Sequence, residues 1–161
     1  MFFKIFKKPD TSEQSKKHEI EPLFGAGEVD ILARTIWGEA RGEQLPGMEA
    51  VAAVVMNRLM ISKRRGGHWW GSDVVSICQK PYQFSCWNEG DPNKDKLLAV
   101  REGDMAFDVA ERIAKRALRG SLKDRTKGAT HYHTRYLTPW WAKGLTSCAE
   151  IGNHVFYKDL A

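Results

Sequence analysis

The sequence predicts an α+β domain that is mainly α, with a small β element near its end. Three observations carry this reading. Apolar residues recur at three- and four-residue spacing over three segments, two late segments lean towards β composition, and Gly, Pro and Asn punctuate the stretch between. A length of 161 residues with 42% hydrophobic and 28% charged residues is ordinary for one globular domain.

The first helix begins at Glu28, where Ile31, Leu32, Thr35 and Ile36 fall on one face, and it ends near Glu39 because Gly38 and Gly42 interrupt the pattern. Pro46 opens the second helix, as a proline suits a first turn. Its stripe of Met48, Val51, Ala52, Val55, Met56 and Leu59 has so few charges around it that this is the central buried helix. A third helix is expected from about Asp104 to Leu118, with Ala106, Val109, Ala110, Ile113, Ala114 and Ala117 turned inward and Gly120 as its stop. Between them, residues 66–95 read as irregular loop with one short apolar turn at Val74, Val75 and Ile77. Residues 129–134 and 151–157 are expected to pair as a small sheet, separated by Pro139, Trp140 and Trp141.

Charge sets a basic N-terminal tail, residues 1–27, apart from the body of the chain, residues 28–161. The formal charge is +5, and the first seventeen residues hold Lys4, Lys7, Lys8, Lys16 and Lys17 against Asp10 and Glu13, five minus two, which is +3. The body is therefore nearly neutral, and no basic stripe interleaved with aromatics tracks a phosphate backbone, so nucleic acid is not the expected partner. The apolar part of Met1–Lys8 is too short for the core of an export signal, which leaves a flexible tail or a transient membrane-surface contact. No run of apolar residues is long enough to span a bilayer, and no repeat is present. Cys78, Cys86 and Cys148 are odd in number and lack CxxC spacing, so they leave the redox compartment open.

The chemistry concentrates at Ala33–Glu43. Glu39 sits at the carboxyl end of the first helix with Ile36 and Trp37 as apolar neighbours in sequence. A helix carboxyl end and an apolar surrounding both disfavour a carboxylate anion, so this position suits a proton donor of the kind that glycoside cleavage requires. A second carboxylate, for activating water, would have to come from Glu43, Asp91 or Asp104, and Glu43 is expected to pair with Arg41 or Arg58. Tyr82, Gln83, Phe84 and Ser85 offer hydroxyls, an amide and an aromatic plane for a sugar ring and its acetamido arm, as do Tyr132 and Trp87. His131 and His133 share a face if their segment is a strand, and with His154 they would make a three-histidine zinc site, which is the rival reading of a metal-dependent amidase or peptidase.

Four blocks, Gly38-Glu39-Ala40-Arg41-Gly42-Glu43, Ala52-Ala53-Val54-Val55-Met56-Asn57-Arg58, Gln83-Phe84-Ser85 and Ile151-Gly152-Asn153-His154-Val155-Phe156-Tyr157, resemble in that order the SleB/CwlJ-type cell-wall hydrolases. The resemblance runs from Ile31 to Tyr157. It implies a lysozyme-like, metal- and cofactor-independent domain acting on peptidoglycan glycan strands by lytic transglycosylase chemistry, with Glu39 as general acid. Glu43, Tyr82, Gln83, Phe84, Ser85, His131, Tyr132 and His154 are the expected substrate-binding residues. A bare catalytic domain without an export signal resembles a phage or prophage endolysin, a monomer made in the cytoplasm and released to the wall by a holin-type protein.

Overall fold

The computed structural model describes residues 26–158 and Leu160. Apart from Ala26 and Gly27, the basic tail lies outside the described residues. Among the described residues, five α-helices surround one core, and a three-stranded antiparallel sheet closes one side. The helices are α1 (Ala26–Ala40), α2 (Leu45–Arg64), α3 (Val74–Gln79), α4 (Pro92–Ala99) and α5 (Met105–Leu118). Strands β1 (His131–Thr134), β2 (Ala149–Ile151) and β3 (His154–Tyr157) lie in the order β1-β3-β2. No described helix is long and apolar enough to cross a membrane.

The periodic segments become the three long helices. Leu32 and Ile36 of α1, Val51, Val54 and Val55 of α2, and Ala110, Ile113 and Ala114 of α5 are almost wholly buried against one another. Pro46 lies in the first turn of α2, and Asp104 caps α5 by accepting from the Phe107 N–H at 2.9 Å. Glu49, on the buried side of α2, is paired with Arg116 of α5 at 2.9 Å.

Residues 66–95 are more ordered than their composition predicts. Asp73 and Ser76 form a reciprocal capping box at the start of α3, and Asp91 with Pro92 starts α4. Both helices are too short for the 3.6-residue period to show, so their caps were the legible signal. The late β segments pair as expected, but the second is split: Gly152 and Asn153 turn the chain between β2 and β3.

Gly38 does not interrupt α1. It lies inside the helix, and a side chain there would meet Cys86, whose Cβ would stand 2.7 Å from the added carbon. The missing side chain lets the 3-10 turn Ser85–Trp87 dock on α1, which it does through residues one turn apart on the helix. The Trp87 indole N–H donates to Thr35 Oγ1 at 2.9 Å, and the Cys86 N–H donates to Glu39 Oε1 at 3.1 Å. Gly38→Ala should therefore overpack this seam, lowering the free energy of unfolding by about 1–3 kcal/mol in urea titrations and weakening any activity that depends on Glu39. Unchanged stability would show that the turn yields freely.

Candidate functional site

A cleft of about 820 Å³ opens where the end of α1, the loop before the 3-10 turn, strand β1 and the Pro139–Trp141 segment meet. Glu39 lies on its floor and is, among the described residues, the one carboxylate that lines it. Its side chain is held from two directions. Tyr132 of β1 donates its hydroxyl to Oε2 at 2.7 Å, and the Cys86 N–H donates to Oε1 at 3.1 Å, with Ser85 Oγ at 3.5 Å. Burial and the neighbouring Glu39 carboxylate keep the Tyr132 hydroxyl well above its usual range, so it stays protonated and donates.

The apolar surrounding expected for Glu39 is corrected. At 100° per residue Trp37 lies nearly opposite Glu39 on α1, and both Ile36 and Trp37 are buried in the core. The Trp37 indole N–H bonds Asp104 at 3.1 Å, and the Arg41 guanidinium stacks on its ring at 4.4 Å. The carboxyl group instead faces hydroxyl and backbone N–H donors.

Of the expected substrate-binding residues, Tyr82, Gln83, Ser85, His131, Tyr132 and His154 line the cleft. Two do not. Phe84 is 1% exposed and packs beneath Arg58, whereas Tyr82, two residues earlier, is turned to solvent. Glu43 lies under the β2–β3 turn, where both its oxygens accept from the Asn153 N–H at 3.3 Å. Nor does Glu43 pair with Arg41 or Arg58: Arg41 bonds Asn93 Oδ1 at 2.7 Å, and Arg58 is engaged elsewhere. Asp91 and Asp104, the other carboxylates considered for activating water, are committed to capping α4 and α5. Trp87 is turned onto Thr35 and borders a separate hollow with Asn88 and Leu98.

The three-histidine arrangement is contradicted by the sheet register. His131 and His133 pair with Tyr157 and Val155, while His154 pairs with Thr134 and so projects to the opposite face with Tyr132 and Phe156. Residues two apart share a face, and His154 falls on the wrong parity to join the other two. Their rings are also engaged: His133 Nε2 lies 3.0 Å from the Tyr157 hydroxyl, and His131 Nδ1 lies 2.9 Å from Thr130 Oγ1.

Sequence reasoning missed Arg58 as a member of the site, along with the aromatic wall. Arg58 is 3% exposed, yet lines the cleft. Its Nε–H donates to the Thr130 carbonyl at 2.8 Å and its Nη1 to Gln83 Oε1 at 3.2 Å, while its guanidinium lies over Trp70 and Phe84. Burial pulls it down to about 10, so it remains a cation at neutral pH. A charge on the otherwise apolar stripe of α2 was the available signal. Trp140, 83% exposed, and Trp69, 50% exposed, form the wall with Trp141; a tryptophan pair directly after a proline was visible but read only as a separator.

His131 sits between Trp70 and Trp141, and burial first, then the Arg58 charge, lowers it to about 4. The folded state thus favours the neutral ring. Between about pH 6.5 and 4 the unfolded chain binds more protons, so the contribution is complete above that window and is lost as pH falls through it. Urea midpoints should drop between about pH 7 and 5, and less steeply in His131→Gln; equal slopes for the two proteins would remove His131 as the cause.

The same architecture is found in proteins of known kind. The catalytic domain of the Bacillus cereus SleB protein superposes with a TM-score of 0.65 at 24% identity, covering 84% of this chain and 92% of that one. The catalytic domain of the germination-specific lytic transglycosylase SleB from Bacillus anthracis superposes with a TM-score of 0.64 at 24% identity, covering 84% and 97%. In sequence, the spore cortex-lytic enzyme of Halalkalibacterium halodurans is 26% identical over 150 residues, 91% of this chain and 39% of that enzyme. That of Bacillus subtilis is 25% identical over 137 residues, 83% and 38%. The chain thus spans about two-fifths of the length of these relatives. The family model described as cell wall hydrolase matches residues 42–157, beginning three residues after Glu39. With most of its length in that match and the SleB catalytic-domain fold around its cleft, the chain belongs to the cell wall hydrolase family.

Proposed function

We propose that the protein cleaves peptidoglycan glycan strands between N-acetylmuramic acid and N-acetylglucosamine, as a lytic transglycosylase with Glu39 as the proton donor. The observation that carries this is Glu39 itself, the one carboxylate among the described residues that lines the cleft, held on both oxygens by groups from two other parts of the chain. The names of the relatives, spore cortex-lytic enzymes and a lytic transglycosylase, supply the class of substrate.

A glycan strand laid along the cleft would meet Trp69, Trp140 and Tyr82 as flat apolar surfaces and Gln83 and Ser85 as polar partners. Glu39 in its acid form gives its proton to the glycosidic oxygen as the C1–O bond breaks. The muramic C6 hydroxyl then attacks C1 from within the same sugar, which removes the need to hold a water molecule, and the carboxylate left behind can accept the hydroxyl proton. Hydrolysis by water would ordinarily use a second carboxylate about 5–9.5 Å from the first. Asp91 and Asp104 are helix caps, and Glu43 is withdrawn beneath a turn. Among the described residues no second carboxylate lines the cleft, which supports internal attack over a muramidase reaction. The proposal extends to the site of action: a monomer working on the cell wall, reaching it as an endolysin does through a holin-type protein, with residues 1–27 dispensable for catalysis.

Glu39→Gln keeps the side-chain volume and loses the transferable proton, so lysis of purified peptidoglycan should fall about 10³-fold with an unchanged circular dichroism spectrum. Mass analysis of the wild-type digest should find 1,6-anhydro-N-acetylmuramic ends, lighter than hydrolysis products by one water and inert to borohydride. Reducing muramic ends would establish hydrolysis instead, and free peptides with intact glycan would overturn glycan cleavage altogether.

A further inference from the structure

A cycle run by Glu39 alone leaves two residues beside it without a task. His154 on β3 is 9% exposed, with its ring edge-on to Tyr132 at 4.9 Å and to Phe156 at 6.2 Å. Its Nδ1 is fully buried and has no hydrogen-bond partner among the described residues, and Glu43 Oε1 stands 3.9 Å from it. The Glu43 side chain is itself only 11% exposed, and its oxygens share the single Asn153 N–H, each at 3.3 Å. A buried carboxylate and a buried imidazole nitrogen, each short of partners, satisfy one another when Nδ1 carries the proton. A closure of about 1 Å brings them to hydrogen-bond distance. That tautomer leaves the lone pair on Nε2, and His154 lines the same cleft as Glu39.

We propose that Glu43 and His154 form a carboxylate–imidazole dyad in which His154 Nε2 takes the proton of the attacking oxygen, so that His154 is the base that complements Glu39 as acid. This rests on the reading of the cleft as glycan-cleaving. Glu43 is then a positioning residue: it fixes the imidazole tautomer and orientation from beneath, while the Tyr132 ring spaces His154 from Glu39, which the Tyr132 hydroxyl holds. Burial lowers His154 below the usual histidine range, against the upward pull of Glu43 and Glu39 and with His133 adding to the decrease, which keeps the ring neutral and able to accept. As O6 bonds to C1, its proton passes to Nε2 in place of the Glu39 carboxylate; as the C1–O4 bond breaks, Glu39 gives its proton to O4. The imidazolium then returns a proton through solvent to the Glu39 carboxylate, so the cycle consumes none.

The test measures kcat and KM on soluble glycan strands, with the melting temperature of each variant, for Glu39→Gln, His154→Gln, Glu43→Gln and Glu43→Leu. His154→Gln should lower kcat about 10²-fold or more while KM moves less than about threefold. Glu43→Leu should lower kcat in the same direction, and Glu43→Gln, whose amide oxygen still accepts from Nδ1–H, should recover most of it. If His154→Gln does not fold, the Glu43 pair decides: wild-type kcat in a folded Glu43→Leu overturns the dyad. A rise in KM alone in His154→Gln also overturns it, in favour of substrate binding. The two readings fail separately, because an active Glu39→Gln defeats glycan cleavage by this acid, whereas an inactive Glu39→Gln beside a fully active His154→Gln defeats only the dyad.

Discussion

Ninety-three positions separate Glu39 from Tyr132, and their hydrogen bond exists because α2 grips the chain just before β1. Two adjacent residues form the grip. Asn57 donates to the Ala129 carbonyl at 2.9 Å and to Asp124 at 3.0 Å, and Arg58 donates to the Thr130 carbonyl at 2.8 Å. Asp124 in turn gathers the Thr126 and Gly128 N–H groups and the Thr126 hydroxyl, so the segment between α5 and β1 is tied without any helix or strand of its own. The bond from the Arg58 cation to the Thr130 carbonyl is charge-assisted, worth about 1.5–3 kcal/mol, and together with the neutral Asn57 bond to the Ala129 carbonyl it pairs two backbone oxygens that would otherwise be left without a donor. The register of β1 on β3 starts from that anchor, and with it the side of the sheet on which each histidine and tyrosine emerges.

The same guanidinium serves the cleft. Because Arg58 is sandwiched by Trp70 and Phe84 and holds Gln83, the loop that carries Tyr82 and Ser85 is referred to the same helix as β1. The two sides of the cleft thus share one reference point in α2, while its floor belongs to α1. Docking of the 3-10 turn on α1 through Thr35, Gly38 and Glu39 completes the frame. The Glu39 carboxyl group meets donors from two of these parts and is thereby fixed in direction, which a proton donor at the end of a helix could not achieve by its own rotamer alone.

Three long helices were readable because each repeats its apolar residues often enough for the period to be seen; α5, with Asp104 as cap and Gly120 beyond, had both ends marked as well. Short α4 was not, since eight residues carry a single fully buried side chain, Leu97, and no stripe. Strand pairing was readable from composition, but the parity that separates His154 from His131 depends on a turn at Gly152–Asn153 and on the anchor at Thr130, both long-range facts. Glu39 could be chosen from its place at a helix end. Its real surroundings could not, because Tyr132, Cys86 and Ser85 approach from distant parts of the chain. Arg58 is engaged by the buried carbonyl of Thr130 rather than by Glu43, a contact across 72 positions that no local pattern announces.

Gly152 adopts φ 58, and a side-chain carbon placed there would stand 2.3 Å from Glu43 Oε2. The carboxylate therefore occupies space that any residue other than glycine at 152 would need. Any other residue there would have to push the end of that carboxylate from beneath the turn and, at this left-handed φ, would carry backbone strain of its own whatever stands at position 43, so two separate constraints hold the glycine.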